Sequence, residues 1–329
     1  MNRIIVSRTD SIGDVVLTLP MCSWLKEKFP DCKLTFLGKE YTRSIVEAFS
    51  IIDEFISEEE LLNHPIVDRI NLLHADVFIH VFPNKIMASL AKKARIPTRI
   101  GTSHRAFHLL TCNKRVGFTR KRSDFHESQL NFHLLKPLGL EQIPMIKEIK
   151  LLADHFQPKT ITLPEFFKDI DLSKAVILHP KSSGSALEWP LDSYIELCNE
   201  LIKKDIPVIF TGTQVEGISF RHLLPTHSLV IDSSGKLSLS QLIFLISKVK
   251  ALVACSTGPY HIAGICNIRA VGLFSERRPI HPGRWHALGK NSFWLTHEID
   301  CPSCKKGKLC RCIEKITVSR VLHALIGNV

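Results

Sequence analysis

Arg3–Phe29, RIIVSRTDSIGDVVLTLPMCSWLKEKF, decides the fold class. A β-branched run, IIV, ends in a polar turn containing Gly13, and apolar residues then recur at helical spacing through Phe29. That pattern reads as strand, tight turn, helix, which is half of a βαβ unit. Working outward, KLTFLG (33–38) predicts a second strand and YTRSIVEAF (41–49) a helix. ADVFIHVFP (75–83) predicts a buried strand, IMASLAKKA (86–94) a helix and TRIGTS (98–103) another strand. Continuous apolar strands separated by amphipathic helices require a parallel sheet covered on both faces.

The pattern weakens after HESQLNFHLLKPLGL (126–140), which reads as an amphipathic helix, and restarts at AVILHP (175–180). LDSYIELCNELIKK, PVIFTG, LVID, SLSQLIFLISK, ALVAC and AVGLFS then alternate helix and strand through residue 275. Two doubly wound α/β domains follow, 1–155 and 175–329, joined by a Pro-containing linker at 156–174. In such sheets ligands bind beyond the carboxyl ends of the strands at the topological switch points, so the chemistry is expected in a cleft between the halves.

Composition narrows the function classes. The 329 residues carry a net charge of +11, which implies an anionic partner. No acidic residue lies between Asp76 and Asp124, while Lys and Arg recur from Lys85 to Arg122. Few aromatics are interleaved with those cations, which argues against a nucleic-acid platform. No uninterrupted apolar run reaches membrane-spanning length, and charged residues at the N-terminus precede any apolar stretch of signal-peptide length. A cytoplasmic location is expected, with peripheral contact to the inner face of the membrane.

Three loops at strand ends are candidates for chemistry: RTDSIGD (8–14), HPKSSGSALEWP (179–190) and CSTGPYH (255–261). With SIGDVVLTLP, HESQLNFHLLKPLG, the Trp-Pro loop, TGTQVEG, SGKLSLSQL and STGPYHIAG in this order, the chain resembles glycosyltransferase family 9, the bacterial heptosyltransferases of lipopolysaccharide core synthesis. The resemblance runs over essentially the whole length. It implies a GT-B fold and an inverting, metal-independent transfer with no cofactor. The donor is a nucleotide sugar such as ADP-heptose, held by the second domain, and the acceptor an acidic glycolipid held by the first.

The resemblance implies that Asp14 is the catalytic base, with Asp10 as the substitute; as residues alone, Asp14 serves equally as a helix cap. Gly13, Asp10, Arg120 and Lys121 are the acceptor candidates. Lys181, Ser182, Ser183, Glu216, Ser256, Thr257, Gly258, His261 and Arg284 are the donor candidates, because hydroxyls and N–H groups at helix starts suit a diphosphate. His261 reads equally as a packed histidine, and Arg284, with its neighbours in ERRPIHPGRW (276–285), as a surface cation. The chain departs from the family pattern at two places. Leu187 and Glu188 precede Trp189 where a Lys usually stands two residues before the Trp, and Ser256 precedes Thr-Gly where an Asp is common, which puts the donor's identity in question.

No catalytic metal is expected. Cys301, Cys304, Cys310 and Cys312 lie in CPSCKKGKLCRC, whose first pair has zinc-knuckle spacing and whose second is one residue tighter. Free thiols or a labile disulfide are the leading reading there, and structural zinc the lesser one. The competing functions are an epimerase or hydrolase acting on nucleotide sugars, and a non-catalytic anion, nucleic-acid or membrane-surface binder on the same fold.

Overall fold

The computed structural model describes residues 1–120, 123–297, 301–308 and 310–327. The chain divides into two compact units, Met1–Gln157 and Pro158–Val329. Between 158 and 174, the stretch expected as linker, the chain lies on the second unit: Thr162 O accepts from Gln241 Nε2 at 3.1 Å, and Lys236 Nζ sits 5.5 Å from the Phe166 ring centre.

The first unit is built on β1 (Arg3–Ser7), β2 (Lys33–Gly38), β3 (Glu54–Ser57), β4 (Val77–His80), β5 (Thr98–Thr102) and β6 (Lys114–Val116). They form one sheet of order β3-β2-β1-β4-β5-β6, all parallel. The second unit holds β7 (Val176–His179), β8 (Val208–Phe210), β9 (Val230–Asp232), β10 (Ala251–Cys255), β11 (Arg269–Leu273) and β12 (Ser292–Leu295). Its order is β12-β11-β10-β7-β8-β9, again all parallel. Both sheets reverse their winding between the first and fourth strand of the unit, so β1/β4 and β7/β10 flank the two switch points.

The central strands are apolar because both of their faces are covered. Ile4, Ile5 and Val6 of β1 are fully buried, as are Val77, Phe78 and Ile79 of β4. The second core gathers Trp189, Tyr194, Phe210, Phe220, Val253 and Val271, together with Val321 and Leu325 of the closing helix Val318–Ile326. Helix starts are fixed by local chemistry. Thr213 and Glu216 form a capping box for Gln214–Phe220, and Ser238 and Gln241 form one for Leu239–Lys248.

The helix expected over 126–140 is shorter than its apolar spacing suggests. Glu127–Phe132 is α-helical, and His133–Leu138 tightens to a 3₁₀ turn that contains Pro137 and ends on Gly139 at φ +95°. Pro137 has no N–H to continue the α ladder, and only a residue tolerant of the left-handed region ends the turn well.

Candidate functional site

At the carboxyl end of β1, Arg8 follows the last strand residue and is almost fully buried, with its N–H donating to Leu37 O at 2.9 Å. Its guanidinium organises the switch point. Nε donates to Asp10 Oδ1 at 2.7 Å, Nη1 to Asn131 Oδ1 at 3.1 Å and Nη2 to Asp14 Oδ1, while Glu127 Oε1 lies 3.5 Å away. Arg120 joins from the other side: Nε pairs with Glu127 Oε1 at 3.0 Å and Nη2 donates to Asn131 at 2.9 Å. Asn131 in turn donates to Leu17 O and Thr18 Oγ1, both at 3.2 Å, tying the network to the chain that follows the Asp14 helix.

Asp14 lies in the first turn of the helix Ile12–Val16, whose N-cap is Ser11. It is therefore not the cap. Its carboxylate accepts from Arg8 and from Ser11 Oγ, and 16% of the side chain remains exposed. Asp10, 21% exposed, is raised to about 6. Burial raises it most, Arg8 opposes, and the nearby charges of Asp14 and Glu127 push it higher. Arg8 is held firmly cationic: burial alone would lower it, and Asp14, Asp10 and Glu127 more than reverse that. Gly13 is buried in the same helix turn. The candidates Asp10, Gly13, Asp14 and Arg120 are thus brought together, and Lys121 lies outside the described residues.

Arg8, Glu127 and Asn131 lie in the stretches RTDSIGD and HESQLNFHLLKPLG, but the sequence assigned them no role. The available signal was the spacing of Glu127 and Asn131, four apart in HESQLN and hence on one face of a helix.

Many cations of the basic window are exposed, among them Lys85, Lys92, Lys93, Arg105 and Lys114. Arg99 instead spends its guanidinium on the carbonyls of Thr111 and Ile96, bracing the edge of the sheet. Leu109 and Leu110, 57% and 75% exposed, stand in the same stretch.

At the second switch point the loop after β7 is organised by Glu188. Its Oε1 accepts from the N–H and Oγ of Ser182, both at 2.9 Å, and its Oε2 pairs with Lys181 Nζ. Ser183, in the left-handed region at φ +48°, donates its Oγ to Glu216 Oε1 at 2.7 Å. Burial alone would raise the Glu216 carboxyl, but the Thr213 N–H, Ser183 Oγ and His179 hold it below the ordinary range. Lys181, Ser182, Ser183 and Glu216 are therefore linked, and Glu216 combines its capping role with a contact to the loop.

Trp189 is a structural anchor. Its ring is buried, its N–H reaches Cys255 Sγ at 3.3 Å and its Nε1 donates to Ile316 O at 2.8 Å. Burial lowers the buried His179 imidazole to about 4, against the pull of Glu216 and Glu188.

After β10, Ser256 and Thr257 lead into the helix Gly258–Ile265. Thr257 Oγ1 and His261 Nδ1 are buried without a hydrogen-bond partner among the described residues. Such groups are uncommon and point to a ligand or water partner. Burial, with His286 beside it, lowers His261 to about 3, so it is neutral at physiological pH. Arg284 is buried rather than a surface cation, in the helix Pro282–Trp285 with its guanidinium 5.1 Å from the Trp285 ring centre.

The four C-terminal cysteines do converge. Their sulfurs all lie within 4.8 Å of one another, and Cys301, Cys304 and Cys312 are buried.

Known proteins share this architecture. A glycosyltransferase of Haemophilus influenzae is 26% identical over 319 residues, covering 93% of this chain and 91% of that protein. The structure of Escherichia coli ADP-heptose lipopolysaccharide heptosyltransferase II superposes with a TM-score of 0.75 at 17% identity, covering 99% of this chain and 97% of that one. E. coli heptosyltransferase WaaC with ADP gives 0.73 at 16% identity, with 97% of each chain covered. The family model for glycosyltransferase family 9 (heptosyltransferase) matches residues 73–313, well over half of the sequence. The two six-stranded parallel sheets are those of its GT-B fold, and the chain belongs to glycosyltransferase family 9.

Proposed function

We propose that this glycosyltransferase moves a heptose from ADP-heptose onto a hydroxyl of an acidic lipopolysaccharide-core or related glycan, in one inverting displacement. The observation that carries the reading is the Asp10–Arg8–Asp14 cluster at the β1/β4 switch point of a family 9 chain. Asp14 takes the proton of the acceptor hydroxyl as that oxygen attacks the anomeric carbon. The bond from that carbon to the phosphate oxygen breaks, and ADP leaves with its electron pair. Arg8 orients the carboxylate; Asn131 and Glu127 orient Arg8.

The growing charge on the diphosphate is met by the amino end of the helix Gly258–Ile265, by the unpartnered Thr257 hydroxyl and by Lys181. The ligands named for the E. coli enzymes, ADP-heptose and ADP, support an adenine nucleotide donor here. The exposed cations around Leu109 and Leu110 support peripheral binding of the first unit to an anionic cytoplasmic leaflet, which would bring it to a membrane-borne acceptor. Among the described residues no helix is long and apolar enough to cross a membrane.

Turnover of ADP-heptose with deep-core lipopolysaccharide fragments tests the reading. Asp14→Asn should lower kcat by about 10²–10⁴-fold at every pH while ADP still binds. Because Asp10 ionises near 6, kcat/KM of the native enzyme should climb as pH rises through about 6. Asp10→Asn should keep measurable turnover and lose that inflection. An Asp14→Asn enzyme within tenfold of the native rate would remove Asp14 as the base.

A further inference from the structure

We infer that Cys301, Cys304, Cys310 and Cys312 form a closed tetrathiolate site for one structural zinc ion. The site is defined by the placement of four sulfurs and is independent of the donor and acceptor assignments.

A tetrahedral zinc with Zn–S bonds of about 2.3 Å separates its four sulfurs by about 3.8 Å. Here every pair of sulfurs lies within 4.8 Å, so the ligands are gathered to nearly that size. The sulfurs come from two short turns. Cys301 is the N-cap of the helical turn Pro302–Lys305, which contains Cys304. Gly307, at φ +68°, reverses the chain, and Cys310 and Cys312 return to the same point. Cys304 Sγ and Cys310 Sγ are 3.0 Å apart, well beyond the S–S bond of a disulfide at about 2.05 Å. All four thiols are free.

The surroundings suit a metal rather than loose thiols. Besides their own sulfurs, the cysteine cluster has no apolar side chain packed against it among the described residues. Three buried thiols with no other apolar neighbours have little reason to converge unless something joins them. Four thiolates and a divalent ion leave two negative charges, and Lys305, Lys306 and Lys308 lie in the sequence between Cys304 and Cys310, while Arg311 is paired with Glu314 at 2.6 Å. Among the described residues the gathered ligand group is four cysteines with no His, Asp or Glu, which fits a closed structural site.

The knuckle also has something to hold. It stands between β12 and the closing helix Val318–Ile326, and Gly307 O accepts from Arg277 Nε at 3.1 Å. Just past Cys312, Ile316 O receives the Trp189 indole. Zinc at this point would fix a brace behind two loops of the second unit.

The test is elemental analysis of the full chain purified without chelator, with its intact mass measured under denaturing, non-reducing conditions. About one zinc per chain and a fully reduced mass are expected. Titration with an organomercurial thiol reagent should release that zinc as the four thiols react. Cobalt(II) in place of zinc should give the visible absorption of tetrahedral thiolate coordination. Cys304→Ser should lose most of the zinc; if that variant does not fold, the mercurial titration of the native chain decides alone. A mass lowered by two or four hydrogens with no metal would overturn the site in favour of disulfides. One iron per chain would overturn the choice of zinc, since four-thiolate tetrahedral sites also suit iron.

Discussion

Replacing Arg8 by Met tests how the first switch point is held together. Arg8 is almost fully buried and bonds Asp10, Asp14 and Asn131, with Glu127 at 3.5 Å. Removing one partner of a buried ionic cluster costs about 3–5 kcal/mol, because the charges left behind are uncompensated. The lower end applies here, since Glu127 keeps Arg120 at 3.0 Å and both aspartates retain some solvent. In a unit of this size about 3 kcal/mol corresponds to a fall in Tm of roughly 10 °C. The loss depends on pH in a definite direction. Asp10 has its carboxyl raised from 3.8 to about 6 on folding, so the folded chain holds a proton between those values that the unfolded chain gives up. Stability therefore falls as pH rises through that window, and Arg8 limits the fall by pairing with the ionised form. Arg8→Met should lower Tm by roughly 10 °C at pH 7.5 and by about half as much at pH 5, in paired thermal denaturation scans followed by circular dichroism. A drop below about 3 °C at pH 7.5, or equal drops at the two pH values, would refute the view that Arg8 exists to hold these carboxylates.

Glu188→Gln keeps an acceptor for Ser182 but removes the charge that neutralises Lys181. If the loop takes the leaving diphosphate, ADP affinity measured by calorimetry should rise about fivefold, the equivalent of roughly 1 kcal/mol at a partly exposed pair; unchanged affinity would separate Lys181 from the donor. Leu109→Ser with Leu110→Ser should weaken sedimentation with vesicles containing phosphatidylglycerol by about tenfold, at unchanged Tm. Equal binding of the double variant would leave attraction to the cations, with no insertion of apolar side chains.

The readability of this chain follows from what each element needs. β1, β4, β7 and β10 are buried on both faces, so their apolar runs stand out in the sequence, while the strand order that puts the switch points between them is visible only in the fold. The strands that escaped notice lie at or near sheet edges: Glu54–Ser57, Lys114–Val116 and Ser292–Leu295. An edge strand keeps polar residues on its solvated side and is short, so LysArgVal carries no periodicity to detect. The site shows the same division. Asp10 and Asp14 sit in one loop and could be read as a pair, whereas Arg8 is joined to Glu127 and Asn131 across more than a hundred residues. Only the fold reveals that closure. It also changes the meaning of Arg120, which sequence assigned to acceptor phosphates by its charge. Its Nε is paired with a buried glutamate, so its first task is to keep Glu127 compensated beside Arg8. A cation with that task reaches an acceptor only through the face of the guanidinium left to solvent. Sequence charge thus overstated the free positive charge at this switch point, whereas Arg105 and Lys114, on either side of Leu109 and Leu110 in sequence, are exposed.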